Sequence, residues 1–435
     1  MEEKMKKIIF VSVLMLVFAC FLTACGPTEE QSHELVNDKT INVYSWWDPA
    51  HDGLTGLKEG FEEKYKEYNV ELNFVKISSY YQTMLTKLAG AKLAGGSSEQ
   101  IDVMMLASDK IPLFASNDVI MSLDEFVSVE YLDDLYSSVK AGLYYEDSVY
   151  AVARDVTTKA MILNTDVFTA YGVDLPDDDW TVEDFKQICL KFAEETDNVW
   201  GYSFDSNPDP VYIWFYLFGG SFFDSENHVS LIDEKGAADG VTFLYDLVQE
   251  GGAMTLSETL EYGKFAAAFS SGYAAMISGG LADVNTVETA GANFVVRPLP
   301  IGKSGSHQSH TFLNCWTIPT VTSNSAWSWK VLEYFSGPEG QAIATAAGMG
   351  LPGSSSADIT SWKAEKAYRE YFIDALDYPG TEPYPTDVFG SNWQTNFKTL
   401  MEDNIWDKSG MTHAELKTEL EKINAKLTYI LMGGS

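Results

Sequence analysis

An α/β fold built in two domains follows from three features of the sequence. Strand-like and helix-like periodicities alternate along the first half, the order that produces a parallel or mixed sheet covered by helices. The 435 residues, 46% apolar and 21% charged, are those of a globular chain too long for one hydrophobic core. No Pro- or Ser-rich linker and no repeat interrupts the middle of the chain. Two domains without a visible linker imply that the chain passes between them more than once, so that each is discontinuous.

The elements read in order as follows. Residues 41–44 of "INVYSWWDPAH" form a short β-rich run, and Leu54, Leu57, Phe61, Tyr65 and Tyr68 then recur at helical spacing. "VELNFVKI" returns to period two, a helix covers residues 81–93, and "AGGSSEQ" closes it. "IDVMMLA" is the unbroken apolar run of a strand buried on both faces. "SLDE" at 122–125 and "TVED" at 181–184 have the capping-box pattern, each expected to open a helix. Further strands are expected at 150–153, 160–164, 273–278, 294–299 and 312–318, and helices dominate from residue 323 onward.

The first 25 residues carry an address. Lys4, Lys6 and Lys7 precede an apolar run over residues 8–22, short for a membrane span and typical of a secretion signal. The signal ends in "LTAC", which resembles the lipobox of bacterial lipoproteins, with Cys25 as the lipidated residue. Two or more acyl chains there would anchor the protein stably, and residues 25–39 read as a polar tether. The formal net charge is −34, and cleavage would remove three lysines and two glutamates, leaving a more acidic chain. Such a balance repels nucleic acid and anionic surfaces and favours neutral or cationic ligands. Beyond the signal only Cys189 and Cys315 remain, too few for a disulfide framework, and buried free thiols are favoured over a bridge.

Motifs for catalysis or metal binding fail on inspection. "IGKSGS" lacks the first glycine of a phosphate loop, Arg297 standing in its place. "DSNPD" at 205–209 opens like a calcium loop, but Pro210 and Tyr216 occupy the required glycine and glutamate positions. His307 and His310 are spaced for a metal but have no third ligand near them in sequence, and read as loop histidines. There is no nucleophile elbow and no zincin helix. No cofactor is implied.

The aromatic inventory stands out: 11 Trp, 23 Tyr and 24 Phe. Much of it belongs in cores, but some tryptophans sit beside polar residues at element ends. Trp46, Trp47 and Asp48 fall where the first strand gives way to a helix, on the carboxyl edge where open α/β sheets bind ligands. Side chains alternate along a strand, so one of the two indoles is expected to face the core. Tyr212 and Trp214 lie in "DPVYIWFYLFGG", and Asn392 and Trp393 open a late helix in "FGSNWQTNF". A sugar ring offers an apolar C–H face and an equator of hydroxyls, which suits flat aromatic surfaces beside Asp and Asn.

The first strand, "YAVARDVTTKAMILNTDVFTAYGV", "FAAAFSSGYAAMISGG" and "CWTIPTVTSNSAWSWKVLEYFSGPEGQ", in that order and spacing, resemble the extracellular solute-binding lipoproteins of carbohydrate ABC transporters, of the maltose-binding-protein-like kind. The resemblance implies a two-lobed periplasmic-binding-protein-like α/β fold of type II, with hinge-linked lobes and a central cleft. It places crossings near residues 153–156, 270–273 and 336–338, giving one lobe from 40–153 and 272–336 and a second from 154–271 and 337–435. It implies a ligand loop at Trp46, Trp47 and Asp48, an acidic contact at Asp155 and stacking platforms at Trp214 and Trp393. Gly279 and Gly280 would allow close backbone approach, and Trp316 would line the cleft. Asp155 has a second reading, an ion pair with Arg154 at the hinge. Asp109 occupies a family position without the accompanying aromatic, and Leu281 and Ala282 stand where the family often has one.

The function so implied is a lipid-anchored, monomeric receptor outside the cytoplasm, on a Gram-positive cell membrane. It binds a neutral mono- or oligosaccharide and delivers it to an ABC transporter permease by closing its hinge. The rival readings are a surface glycoside hydrolase, and the same fold binding a peptide, polyamine or other cationic solute.

Overall fold

The computed structural model describes residues 35–95, 99–196, 198–224, 226–385, 393–406 and 408–433. The signal segment, Cys25 and Asn392 therefore lie outside the described residues. In chain order the elements that position the site begin with β1 (Thr40–Ser45), α1 (Asp52–Lys64), β2 (Glu71–Lys76), α2 (Tyr80–Leu93) and β3 (Val103–Ala107). The first passage between the two sheets joins β4 (Val152–Thr157) to β5 (Ala160–Asn164). After it come α3 (Val182–Glu195), β6 (Trp200–Tyr202), α4 (Pro208–Leu217), α5 (Lys235–Gln249), β7 (Ala274–Gly279), α6 (Leu281–Thr289) and β8 (Phe294–Arg297). The chain then returns through β9 (His310–Thr317), α7 (Ser325–Ser336), α8 (Pro338–Ala346), α9 (Thr360–Glu365), α10 (Arg369–Asp374) and β10 (Glu382–Pro383). It ends in α11 (Trp393–Met401) and α12 (His413–Leu431).

The first sheet has the order β10-β9-β3-β1-β2, with β4 on the other side of β9. β1, β2 and β3 run parallel, and β9 is antiparallel to both β3 and β4. All five side chains of β3 are buried, as its apolar run requires. The second sheet has the order β8-β5-β7-β6, with β5 antiparallel to both neighbours. The carboxyl ends of β1, β3 and β4 and the amino end of β9 face the same cleft as the carboxyl end of β7 and the start of β5.

The two lobes are discontinuous, but their boundaries differ from the expected ones. β7 pairs with β5 and β6, and β8 pairs with β5, so residues 274–297 belong to the second lobe. The residues 325–346 pack against α1 and β4 in the first. The passages consequently fall at residues 157–160, at 298–309, and after residue 383. Strand propensity identified β7 and β8 correctly but carries no information about which sheet accepts them, because pairing partners are chosen by contacts distant in the chain.

Local signals decided most ends. Thr181 and Asp184 form the expected reciprocal cap: the Thr181 hydroxyl accepts the Asp184 amide and the Asp184 carboxylate accepts the Thr181 amide. "SLDE" does not open a helix. Ser122 donates to Asp124, whose other oxygen accepts the Val149 amide, and the segment stays a turn; the helix Val129–Asp134 is capped instead by Ser128. The two thiols are buried and free, Cys315 in the first lobe and Cys189 in the second.

Candidate functional site

The first-lobe wall of the cleft is built on three strand ends. The turn after β1 carries Trp46 and Trp47, both half-buried, and the exposed Asp48. The Trp47 amide donates to the Ser45 hydroxyl at 2.8 Å and the Ala50 amide to Asp48 at 3.1 Å, fixing the turn. Both indoles stay at the cleft edge because the strand ends at Ser45, so the alternation expected to send one of them into the core stops before it reaches them. Trp46 meets the edge of Tyr80 at 5.1 Å and tilts on Tyr81 at 5.6 Å. Asp48 reaches Lys76 at 3.3 Å.

Just past β3, Asp109 is 7% exposed and pairs with Lys110 at 2.7 Å, while its Oδ1 and the neighbouring Ser108 hydroxyl have no partner among the described residues. Buried, unfilled acceptors on a cleft wall are groups a hydroxylated ligand could satisfy. Asp155 of β4 is ion-paired with Arg154 and accepts from Asn314 of β9 at 3.0 Å. Burial raises its pKa in spite of these partners. The ion pair with Arg154, one of its two expected roles, is therefore formed, but within β4 of the first sheet rather than on a passage between the lobes.

The floor is made by the passages themselves. Lys159, on the first, and His310, opening β9 after the second, both reach Asp209 of the second lobe, at 2.5 Å and 2.9 Å. The passages are also tied to each other: Ser309 Oγ accepts the Lys159 amide at 2.9 Å. Burial works against each charge here. For Asp209, Lys159 and His310 outweigh it and hold the carboxyl well below its usual range. For Lys159, Asp209 outweighs it and the pKa rises. For His310 burial wins over Asp209, and the imidazole is held neutral. His310, 1% exposed, is thus a buried strand residue rather than a loop histidine.

Against this floor lies a cavity of about 490 Å³ whose lining includes Lys159 from the first passage, Phe312 of β9, Asn207 and Asp209 from the start of α4, Tyr384, and Gln394 of α11. A smaller one of about 150 Å³, on the other side of Thr157, is lined by Leu281, Ala282, Met349, Gly350 and Trp362, among others. Most of these lining residues were missed in the sequence. Asp209 was visible beside Asn207 and Pro208, but only as a failed calcium loop; its place in the first turn of α4 was the usable signal.

Several expected platforms are core residues instead. Trp214 is fully buried, its indole donating to Tyr202 at 3.3 Å and packed on Phe185 and Phe243. Tyr212, 3% exposed, stacks on Phe222 and meets Tyr384 and His310 edge-on. Trp393, 3% exposed, packs on Phe222 and Phe223. Trp316 is fully buried against Phe335. For Tyr212 and Trp214 the reason is that α4 is apolar on nearly every face and so sits inside the second lobe; for Trp316 it is that β9 is central in its sheet; and Trp393 of α11 is covered by Phe222 and Phe223. Gly279 and Gly280 are each closely approached by a side chain of their own lobe or the adjoining passage rather than by a second strand's backbone. A Cβ on Gly279 would lie 2.5 Å from the Asp283 carboxylate, and one on Gly280 2.7 Å from the Thr157 methyl.

Among the described residues no cluster of His, Cys, Asp and Glu could hold a metal ion, and no helix is long and apolar enough to cross a membrane. The fold is shared with solved type II binding proteins. The sugar-binding protein MalE of Xanthomonas citri superposes with a TM-score of 0.76 at 18% identity, over 91% of this chain and 98% of that one. An ABC substrate-binding protein of Listeria monocytogenes in complex with cycloalternan gives 0.72 at 18% identity, over 92% and 100%. In sequence, the maltotriose-binding protein of Pyrococcus abyssi is 22% identical over 248 residues, which span 56% of this chain and about half, 52%, of that relative. Residues 57–370 match the model of the bacterial extracellular solute-binding protein family, and the chain belongs to that family.

Proposed function

We propose that the protein is a carbohydrate receptor of an ABC transporter that binds a neutral mono- or oligosaccharide between its lobes. The observation that carries this reading is the half-open indole pair Trp46–Trp47 on a cleft whose charges are already paired. Asp48 has Lys76, Asp109 has Lys110, Arg154 has Asp155, Lys159 has Asp209, and Lys398 has Glu402 within 4 Å. A cationic peptide or polyamine would find no uncompensated carboxylate among these, whereas a sugar needs only stacking surfaces and hydrogen bonds. The ligands named for the relatives, maltotriose and cycloalternan, support the same class.

Asp109, Asp155, Gly280 and the lining of the larger cavity are the polar side of this site; Tyr212 and Trp393 back the lining residue Tyr384 from the second-lobe core. A ligand touching both lobes favours the closed form, so binding shifts the hinge equilibrium, and the closed shape is what a permease would read. Anchoring through Cys25 to a Gram-positive membrane, and a monomeric state, complete the reading. Tethering would keep loaded receptor concentrated at the permease.

The test is tryptophan fluorescence and calorimetry with maltose, maltotriose and cycloalternan, set against spermidine and tripeptides. Saturable sugar binding without hydrolysis of the sugar is expected. Turnover of the oligosaccharide, or binding of the cations alone, overturns the proposal. Mass spectrometry of the membrane-extracted protein, with diacylglycerol on Cys25 expected, tests the anchor.

A further inference from the structure

We infer that Arg154 is a positioning residue that sets the Trp46–Trp47 pair, and that a bulge in β4 held by Gln341 places it there. The inference rests on the carbohydrate reading for its ligand, but its geometry stands alone. Along β4 and β9 the register pairs Asn314 with Asp155 and Cys315 with Ala153, leaving Arg154 opposite no residue. Successive side chains of a regular strand point to opposite faces. The extra residue breaks that alternation, and Arg154 and Asp155 form an ion pair with each other.

From this position the guanidinium lies 4.3 Å from the centre of the Trp47 ring and 5.8 Å from that of Trp46. It is 2% exposed, so it supports the indoles from the protein side and leaves their outer surface free. A planar cation over an indole face is an attractive contact that strengthens as water is excluded. The turn is also held by the Ser45 and Asp48 contacts, and Trp46 by Tyr80 and Tyr81, whereas the other ring contact of Trp47 is His51 at 4.4 Å, so Arg154 is the group that touches both indoles.

The bulge itself is held from behind. Gln341 of α8, fully buried, donates through Nε2 to the carbonyls of Ala153 at 3.2 Å, Arg154 at 2.8 Å and Phe335 at 3.1 Å, and accepts the Gly353 amide at 2.6 Å. It thus supplies the hydrogen bonds that the irregular ladder cannot.

The experiment uses the full chain labelled with 5-fluorotryptophan, read by ¹⁹F NMR and by calorimetric titration with maltotriose. R154M leaves Asp155 unpaired in a buried site, so R154M/D155N, which restores charge balance, is the informative variant, and Q341L is a second one remote from the cleft. We expect R154M/D155N to melt near the wild-type temperature, to split or broaden the Trp46 and Trp47 resonances alone, and to lose roughly tenfold or more in affinity relative to D155N by itself. R154K should recover part of both. Q341L should disturb the same two resonances. Unchanged Trp46 and Trp47 resonances in ligand-free R154M/D155N and Q341L overturn the inference, whatever sugar binds. Absence of maltotriose binding to the wild type would count against the carbohydrate reading alone, because the ligand-free spectra still report on Arg154.

Discussion

Acidification should weaken the passages between the lobes through His310, and H310Q should abolish that sensitivity. The neutral imidazole donates from Nε2 to Asp209 at 2.9 Å, and its Nδ1 has no partner among the described residues. A second proton would bury an unpaired N–H and put a second cation beside Lys159 against one carboxylate. The other groups around it offer little relief. Tyr212 and Tyr384 face it with their rings, at 5.2 Å and 5.7 Å, Glu382 meets it only through the backbone register of β10, and Asp283 acts on Lys159. Because the folded-state pKa lies below that of the unfolded chain, the unfolded state binds more protons in the window between the two. Stability therefore falls as pH drops through and below about 6.5, at no more than about 1.4 kcal/mol per pH unit for this one proton. Urea titrations of wild type and H310Q at steps from pH 7.5 to 5 measure it. The remaining histidines are common to both proteins and cancel in the difference, so wild-type stability should fall more steeply, with the gap changing by up to about 1.4 kcal/mol per pH unit below 6.5. Parallel curves for the two proteins would refute the reasoning.

Two tryptophans should separate binding from folding. W47A is expected to weaken sugar affinity while changing the urea midpoint little, whereas W214A should cost about 3–5 kcal/mol of stability; the reverse pattern by calorimetry and denaturation would exchange their roles. Gly350 has φ of +147° and a Cβ there would stand 2.8 Å from that of Asp155. G350A should therefore destabilise the first lobe by about 1–3 kcal/mol, and a neutral result in thermal melts would contradict this. Burial raises the pKa of both Cys189 and Cys315, so neither should react with Ellman's reagent until urea unfolds the chain. Rapid labelling of the native protein would show that one of them is open to solvent.

What could be seen in the sequence was whatever is encoded locally. β5 at 160–164 falls where apolar content placed it, α2 differs by one residue, and the Thr181 cap formed as its spacing demanded. The Ser122 pattern failed because Asp124 found a better partner in the Val149 amide, a contact no local rule contains. In the candidate site, the positions of Trp46, Trp47 and Asp109 just past strand ends were legible. It was not legible at Trp214 and Trp393, where a sequence shows an aromatic beside polar residues but not whether a neighbouring helix covers it. Arg154 was legible as a charge next to Asp155. That both belong to a bulge, and so sit together, depends on β9 arriving from much later in the chain.

That late arrival also governs the order in which the protein can be assembled. β3 is finished at Ala107, yet the strand that covers one of its edges is His310–Thr317, and the same strand covers β4. Until those residues have been made, "VMMLA" presents a bare apolar edge of the kind that recruits other chains. Neither half can mature on the ribosome ahead of the other, and distant pairings of this sort fold slowly. A polypeptide truncated before residue 310 is thus expected to aggregate rather than to yield an isolated first lobe, and completion of the whole molecule becomes a single event that waits for its last third.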